Sequence, residues 1–345
     1  MSRRSVFILL LAVLLGGGVF AFVRLRGVGE DVFAQHRRLG RGINLGNSLE
    51  AKPEGSWGFV IQDEDLPRIK AAGFDSVRIP VKWSAYAAPT APYVIDPVFL
   101  RRVDHVVRTA IRSGLVVLLD VHHYEELDAH PAEHRERLAA IWDQVAAHFA
   151  DCPDRVLQFE VYNEPYGTHT AELWNQTFPP SLRAIRRHSP TRAVHVGSVM
   201  WNQIPTLKDL RLPPEDRHII IHLHYYDPFQ FTHQGAFWIK GADQWVGRSW
   251  DATEAQLKKI RNDFDQAAEW ARKENRPVFF GEFGTNLGVK DMAARVRWTK
   301  TIVTEAEARG FKWAYWEYQA YFGVWDPKKK EWRKEILDAL MSGKK

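Results

Sequence analysis

The sequence predicts a (β/α)8 barrel that occupies residues 35–345 as a single domain, behind a hydrophobic leader at residues 1–34. Three observations predict this fold. Eight short apolar segments are separated by stretches of helical periodicity. These segments are continuously apolar rather than alternating. A pattern of helix, glycine and strand recurs along the chain. Parallel strands covered on both faces have this pattern, and eight of them in a domain of this length favour a closed barrel.

The predicted strands follow one another at intervals that leave room for a helix. They are Gly42–Leu45, Ser76–Ile79, Leu115–Val121, Val156–Tyr162, Ala193–Gly197, His218–Leu223, Val278–Gly281 and Phe311–Trp316. Gly73, Gly114 and Gly310 precede three of them, where a helix ends and the backbone needs a positive φ. A doubly wound open sheet is the structural alternative, but no glycine-rich phosphate-binding turn follows the first strand.

One long helix between the strands has recognisable ends. The segment Asp251–Glu254 has the pattern of a capping box, and Asn275 followed by Pro277 predicts the end of the helix. The sequence beyond the leader contains no linker of Pro, Gly and Ser and no low-complexity tract, which favours one domain.

The composition excludes several classes of protein. Hydrophobic residues make up 45% of the chain and charged residues 26%, as in soluble globular proteins. The net charge is only +5, and no Lys/Arg cluster is interleaved with aromatic residues, so no nucleic-acid partner is expected. Cys152 is the single cysteine of the sequence and excludes an intramolecular disulfide and a cysteine-ligated metal cluster.

The N-terminal segment predicts export. Arg3 and Arg4 precede an apolar run from Val6 to Val23, and arginines follow it. The length of the run lies between a signal-peptide core of about 7–15 residues and a membrane span of about 20. A cleaved signal and a retained anchor are both open, and a buried helix is disfavoured because no polar face interrupts the run. The domain is expected outside a bacterial membrane, secreted, periplasmic or anchored, as a monomer that contacts the membrane only through this segment.

Polar residues and one tryptophan lie at or just after the carboxyl ends of seven of the predicted strands. They are Asn44, Asn47, Arg78, His122, His123, Tyr124, Asn163, Glu164, His224, Tyr226, Glu282, Trp316 and Glu317. Any one of them has a plain structural explanation, such as a surface ion pair or a hydrogen-bonded core residue. Because the carboxyl ends of barrel strands meet at one face, such residues at seven strand ends together predict a functional site.

Two of these residues define the chemistry. Glu164, in Asn163-Glu164-Pro165, and Glu282 each end a short apolar run, where a carboxylate is badly placed for packing. Cleavage of a glycosidic bond needs two such groups, an acid for the leaving oxygen and a nucleophile or base on the other side of the sugar. The pair therefore favours glycoside hydrolysis.

The chain resembles glycoside hydrolase family 5, the cellulase-like retaining barrels, over residues 40–335. The motifs that carry the resemblance are Gly42–Asn47, Gly73–Pro80, His122–Leu127, Tyr162–Pro165, His224–Pro228, Phe231–Ala236, Gly281–Gly284 and Tyr315–Glu317. No catalytic position departs from the family pattern. Residues Phe231–Ala236 resemble those of bacterial endoglucanases that also accept mannan.

The resemblance implies a role for each site residue. Glu164 is the general acid/base and Glu282 is the nucleophile, about 5–5.5 Å apart as retention requires. The substrate-binding residues implied are Asn44, Arg78, His122, His123, Asn163, His224, Tyr226 and Trp316. Among these, Arg78 and Tyr226 would keep Glu282 ionised, whereas Glu164 would lack such help and keep its proton.

The resemblance also implies the details of sugar binding. Asn163 would bind the sugar 2-hydroxyl, His123 and His224 would donate and orient at the same sugar, and His122 would lie behind them. Trp316 would form the stacking floor. No cofactor or metal is expected.

The substrate is expected to be a β-linked polysaccharide. Trp57, Trp201, Trp238 and Trp245 lie on predicted loops at the same face and are candidates for lining a groove. Several aromatic rings along a cleft favour endo action on a long β-1,4-glucan. Mannan, mixed-linkage glucan and xyloglucan are alternatives, since gluco and manno sugars differ only at the 2-hydroxyl.

Two functions from other classes are alternatives. A metal-dependent barrel hydrolase would use His222 and His224, which share a strand face, with His122 and His123. A non-catalytic carbohydrate-binding barrel would commonly lack one carboxylate, whereas this sequence has both. The endo-β-1,4-glucanase interpretation is therefore preferred.

Overall fold

The computed structural model describes residues 30–343 and contains a closed eight-stranded parallel barrel. Its strands are β1 (Arg41–Asn44), β2 (Ser76–Ile79), β3 (Val116–Asp120), β4 (Leu157–Glu160), β5 (Val194–Gly197), β6 (Ile219–His224), β7 (Val278–Glu282) and β8 (Lys312–Tyr315). Each strand pairs with its neighbours in chain order, and β8 pairs with β1 to close the barrel. All eight predicted strands are confirmed, with ends that differ by at most two residues.

Helices surround the barrel. They are α1 (Val32–Leu39), α2 (Asp65–Ala71), α3 (Pro97–Arg112), α4 (Glu125–Ala129), α5 (Pro131–His148), α6 (Ala171–His188), α7 (Val199–Asn202), α8 (Phe229–Thr232), α9 (Glu254–Glu274), α10 (Met292–Ala308) and α11 (Lys334–Met341). The short segment α7 is a turn rather than a regular helix, because Met200 and Trp201 have left-handed backbones. Short 3-10 turns cover Trp83–Ala85, Ile204–Asp209 and Ala242–Trp245, and a hairpin of β9 (Trp325–Asp326) and β10 (Glu331–Trp332) follows β8.

The predicted helix ends are confirmed in all but one case. Gly73, Gly114 and Gly310 have φ values of 102°, 80° and 76°, and Asn275 ends α9 in the left-handed region. The predicted capping box at Asp251–Glu254 is wrong by two residues. Thr253 caps α9 by accepting from the Gln256 backbone, and the Gln256 side chain accepts from the Thr253 backbone, because the glutamine at that position supplies the reciprocal acceptor.

The barrel interior changes from apolar to polar along its axis. At the amino ends of the strands, an apolar cluster contains Val32, Leu39, Val116, Leu118, Ala193, Ile220, Phe279 and Ala314. Residues two apart on a strand share a face. Asp120 therefore follows Leu118, and His222 follows Ile220, on the face directed into the barrel. These polar residues are fully buried. The strand pattern therefore places a buried polar layer directly beneath the carboxyl ends of the strands.

Helix α1 begins inside the segment predicted as the leader. Asp31 caps the helix, and Val32 is buried against the barrel. The folded domain therefore starts a few residues before residue 35. The predicted export signal at Val6–Val23 lies outside the described residues. Among residues 30–343, no helix is long and apolar enough to cross a membrane.

Candidate active site

The two predicted carboxylates lie together at the carboxyl face of the barrel. Glu282 is the last residue of β7, and Glu164 follows β4 in the loop that begins at Asn163. An oxygen of Glu164 and an oxygen of Glu282 lie within 4.8 Å of each other. The Glu164 side chain is 25% exposed and that of Glu282 is 7% exposed. This separation is too short for the water that an inverting pair, at about 6.5–9.5 Å, must hold.

Glu282 is held by three partners. Arg78 Nη1 donates to Oε1 at 2.9 Å, and the Tyr226 hydroxyl donates to Oε2 at 2.9 Å. His224 Nδ1 lies 3.7 Å from Oε2. Burial raises the pKa of Glu282, while His224, Arg78 and the Tyr226 hydrogen bond oppose that rise. The two contacts predicted for this carboxylate are thus present.

Glu164 has a different environment. Burial raises its pKa to about 7, and Arg78 only partly offsets this effect. His224 Nδ1 lies 2.6 Å from Oε1. The raised pKa agrees with the prediction that Glu164 keeps its proton near neutral pH, although β6 extends to residue 224 and brings the His224 imidazole against the carboxyl. A carboxyl with its pKa near 7 can donate a proton at neutral pH.

Arg78 is the centre of the buried polar layer. Its guanidinium contacts Glu282, pairs with both oxygens of Glu160 at 2.7 and 2.8 Å, and lies 2.7 Å from Asp120. It also donates to Asn163 Oδ1 at 2.6 Å. One cation therefore faces three carboxyl groups, so their charges depend on one another.

Three residues predicted to bind substrate are almost fully buried, and two of them, Asn44 and Arg78, lie beneath the site. Arg78 and His122 are 1% and 2% exposed, and Asn44 is completely buried. Asn44 accepts from Arg78 and donates to Gly281 O, and His122 contacts Asp120 through Nδ1. The prediction of direct substrate contact is corrected for Asn44 and Arg78, because their side-chain polar atoms already bind protein groups. For His122 it stays a prediction, since only its Nδ1 has a partner among the described residues.

The remaining predicted binding residues surround the carboxylates. Asn163 Oδ1 is occupied by Arg78, which leaves its amide nitrogen as the group available to a ligand hydroxyl. Trp316 is partly buried, and its ring stacks on the ring of His122 at 5.8 Å. His123 is exposed and its ring lies 5.9 Å from that of Trp57. Tyr226 and His224 contact the carboxylates as described above.

The candidate groove tryptophans do not behave alike. Trp57, Trp201 and Trp238 are 43%, 41% and 47% exposed. Trp201 stacks on Tyr166, two residues beyond Glu164, at a ring distance of 5.5 Å. Trp245 is less exposed and packs edge-on against Phe229. The first three therefore offer ring faces for a ligand, whereas Trp245 fills a gap in loop packing.

Two groups of side chains have the spacing of metal ligands. One contains Glu160, His222 and His224, and the other contains Glu164, His224 and Glu282. Both oxygens of Glu160 accept from Arg78, and Arg78 also contacts Glu282. A guanidinium in contact with both groups disfavours a divalent cation in either. The donor atoms present therefore do not fit a metal site.

Residues 42–322 match the model of the cellulase family, glycosyl hydrolase family 5. The chain belongs to glycosyl hydrolase family 5. It is therefore a glycoside hydrolase, and its barrel is the fold of that family.

Several family 5 relatives are similar over most of the chain. Cel5A of Thermotoga maritima, crystallised with mannotriose, is 42% identical, with a TM-score of 0.87 over 90% of this chain and 100% of that chain. The cellulose synthase subunit Z of Clostridioides difficile is 35% identical, with a TM-score of 0.84 over 88% of this chain and 99% of that one. Endoglucanase H of Acetivibrio thermocellus is 34% identical over 90% of this chain, which spans 34% of that longer protein.

The family 5 site also contains residues outside the predicted set. Asp120 and Glu160 contact Arg78, and Asn202 donates to Asn163 O through its side chain. The sequence could have indicated Asp120 and Glu160 by their position, because each ends a strand and faces the barrel interior. Phe237 and Tyr321 form an exposed aromatic cluster with Trp238, at ring distances of 5.0–5.2 Å. No strand register predicts this cluster, because it depends on loop shape.

Proposed function

We propose that this family 5 protein is a retaining endo-β-1,4-glucanase that hydrolyses β-glucan by double displacement. The single observation that carries the proposal is the pair Glu164 and Glu282, whose carboxylate oxygens lie within 4.8 Å of each other at the carboxyl face of the barrel. Retaining glycosidases need this short separation, because the second carboxylate attacks the sugar directly. The similarity to endoglucanases supports glucan as the substrate.

In the first step, Glu282 acts as the nucleophile. A carboxylate oxygen of Glu282 forms a bond to the anomeric carbon, the glycosidic C–O bond breaks, and Glu164 transfers its proton to the leaving oxygen. Arg78 and Tyr226 each donate a hydrogen bond to Glu282 and favour its charged form. Glu164, with its pKa near 7, holds the proton that the leaving group needs.

In the second step, water replaces Glu282 at the anomeric carbon. Glu164, now ionised, takes a proton from the water, whose oxygen attacks as the ester bond to Glu282 breaks. Both carboxyl groups return to their starting states. The two inversions give a product with the configuration of the substrate.

The sugar beside Glu282 would contact three further residues. The amide nitrogen of Asn163 would donate to the 2-hydroxyl, since Arg78 fixes the amide oxygen. Trp316 would stack under the sugar ring, and exposed His123 would bind at the edge. Each contact depends on a sugar at the position defined by the two carboxylates.

The exposed tryptophans support endo action. Trp57 lies beside His123, and Trp201 lies against Tyr166 on the Glu164 loop. Trp238 contacts Phe322, which packs against Tyr226. Rings that flank the carboxylates on several sides favour a polymer that extends in both directions from the cleaved bond.

We also propose that the protein is exported and acts as a monomer. The support for export is the arginine-flanked apolar run at Val6–Val23. Fractionation of cells that express the full-length chain tests this proposal, with a periplasmic, secreted or membrane-bound protein as the expected outcome and a cytoplasmic one as the contrary outcome.

A polysaccharide panel tests the proposed activity. Carboxymethyl cellulose, mixed-linkage β-glucan, xyloglucan and β-mannan are incubated with the protein in the presence of a strong chelator, and reducing ends and viscosity are followed. We expect the highest rate on a β-1,4-glucan, with viscosity falling early. Glu282→Gln is the matched blank. Highest activity on mannan, or loss of activity with the chelator, would contradict the proposal.

A further inference from the structure

Three buried groups, Glu160, His222 and His224, form a chain of polar atoms from the barrel interior to Glu164. Glu160 Oε2 lies 3.4 Å from His222 Nδ1, and His222 Nε2 lies 3.0 Å from His224 Nε2. His224 Nδ1 then lies 2.6 Å from Glu164 Oε1. Glu160 and His222 are completely buried, and His224 is 5% exposed. Two imidazoles thus lie between a buried carboxyl and the carboxyl at the cleaved bond, and the contact of His222 Nδ1 with Glu160 is a close approach without a hydrogen bond in this structure.

The contact between the two imidazoles has room for one hydrogen. Burial lowers the pKa of His224 to about 4 and that of His222 well below its usual value, so both rings are neutral near pH 7. A neutral imidazole donates at one nitrogen and accepts at the other. At 3.0 Å, two lone pairs would repel and two N–H groups would collide. One Nε2 must therefore donate and the other must accept.

This restriction links the protonation of one carboxyl group to that of the other. If His224 donates through Nε2, its Nδ1 accepts from protonated Glu164, and His222 Nδ1–H faces an ionised Glu160. If His222 donates instead, His224 Nδ1–H faces an ionised Glu164, and protonated Glu160 donates to His222. Either arrangement carries one proton on the two carboxyl groups together.

We propose that Glu160 and Glu164 share one proton through His222 and His224. Glu160 is then a positioning residue that controls the protonation of Glu164, and this inference rests on the proposed role of Glu164 as the acid/base. In the transfer, the Glu160 O–H bond breaks as His222 Nδ1 gains the proton. His222 Nε2 gives its own proton to His224 Nε2, and His224 Nδ1 gives its own to Glu164. Neither imidazole changes its charge.

The surroundings of the chain support a shared proton. The charged and titratable groups packed around it come from five places in the barrel. They are Arg78 of β2, Asp120 of β3 with His122 just after it, His195 of β5, Tyr226 just after β6 and Glu282 of β7. Arg78 is the only cationic side chain among these neighbours at neutral pH, and it faces several carboxyl groups. Burial raises the pKa of Glu160 to about 8 and that of Glu164 to about 7, so both groups bind a proton over a similar range of pH.

The pH dependence of acid catalysis tests the shared proton. Because the intact chain favours the state with one proton, it holds that proton to higher pH than Glu164 would alone. Cutting the chain with His222→Leu should lower the basic limb of the kcat/KM profile, and Glu160→Gln, which fixes the direction of the chain, should move that limb. The expected shift is about one pH unit, the effect of one hydrogen bond on a protonation equilibrium. The substrate is an aryl β-cellobioside with a leaving group that needs protonation.

His195→Leu is the matched control. His195 is equally buried on the neighbouring strand, but it bonds to Gln158 and lies outside the chain. Its loss should leave the basic limb in place. A wild-type position of the limb in both His222→Leu and Glu160→Gln would overturn the shared proton while leaving the proposed function intact. A wild-type protein that does not cleave the cellobioside would overturn the proposed function instead.

Nitrogen NMR of the histidines in the wild-type protein tests the chain without a variant. At neutral pH we expect one Nε2 protonated and one unprotonated between His222 and His224, or one averaged signal for each if exchange is fast. Two fully protonated or two fully unprotonated Nε2 atoms would overturn the proposal. This result does not depend on activity or on the folding of any variant.

Discussion

Removing the hydroxyl of Tyr226 is the most specific way to test the environment of the nucleophile Glu282. In Tyr226→Phe, Glu282 Oε2 loses the donor at 2.9 Å and keeps Arg78 on the other oxygen. The ring contacts to His233 and Phe322 are retained by phenylalanine. The variant therefore changes one hydrogen bond to one carboxylate.

The size of the effect follows from that bond. A hydrogen bond to a buried charged group contributes about 1.5–3 kcal/mol, and one pKa unit corresponds to about 1.4 kcal/mol. The bond stabilises the ionised form and so lowers the pKa of Glu282; its loss raises that pKa by about 1–2 units. Because Glu282 must be ionised to attack, the acidic limb of kcat/KM should move to higher pH by the same amount.

The assay is a pH–rate profile on one soluble aryl β-cellobioside. Tyr225→Phe is the matched control, since the neighbouring hydroxyl donates to Asp263 at 2.8 Å and is directed away from the carboxylates. We expect the control to keep the wild-type acidic limb. If Tyr226→Phe keeps it as well, Tyr226 does not stabilise the charged form of the nucleophile.

Four further variants test other parts of the site. Glu282→Gln should lower turnover by roughly 10⁴-fold or more with the fold intact, and azide should partly restore a Glu164→Ala variant on an activated aryl glycoside; a tenth of the wild-type rate in Glu282→Gln would contradict its role. Trp316→Ala should lower kcat/KM by roughly ten- to a hundredfold, equally at every pH, because the ring does not titrate; a changed pH profile would contradict a stacking role. Gly284→Ala should lower the free energy of unfolding by about 1–3 kcal/mol in a denaturant titration, since its Cβ would lie 2.1 Å from Trp316 O; an unchanged midpoint would show that the two strand ends separate easily.

The barrel follows from the sequence because its signals are local. Continuous apolar runs and a glycine after each of three helices reflect constraints within a few residues, and Gly73 and Gly114 adopt the expected left-handed backbone. The start of α9 is harder to place, because Thr253 and Asp251 are both competent caps. The structure selects Thr253 through the position of Gln256.

The identity of the site residues follows from the sequence better than their contacts do. Strand ends converge in any barrel, so Glu164 and Glu282 are brought together by topology alone. The depth of a side chain within the barrel does not follow from the sequence in the same way. Asn44 is directed into the buried layer rather than toward a ligand, because its inward register and its bonds to Gly281 and Arg78 place it below the carboxylates.

Other features depend on distances between strands far apart in sequence. The contact of His222 with His224 lies within one strand, but the approach of Glu160 requires side chains of β4 and β6, the two neighbours of β5, to meet in the barrel interior. The exposure of Trp238 and the packing of Trp245 depend on the path of one loop. A hydrophobic pattern contains no information on either, so these are found only in the structure.

The stereochemistry of the first product tests double displacement most directly. Proton NMR follows the anomeric signals while the enzyme cleaves a cello-oligosaccharide, before mutarotation mixes them. With the nucleophile Glu282 within 4.8 Å of Glu164, the β-anomer should form first and the α-anomer should grow only slowly by mutarotation. Initial formation of the α-anomer would contradict the mechanism, since it requires a single displacement by water.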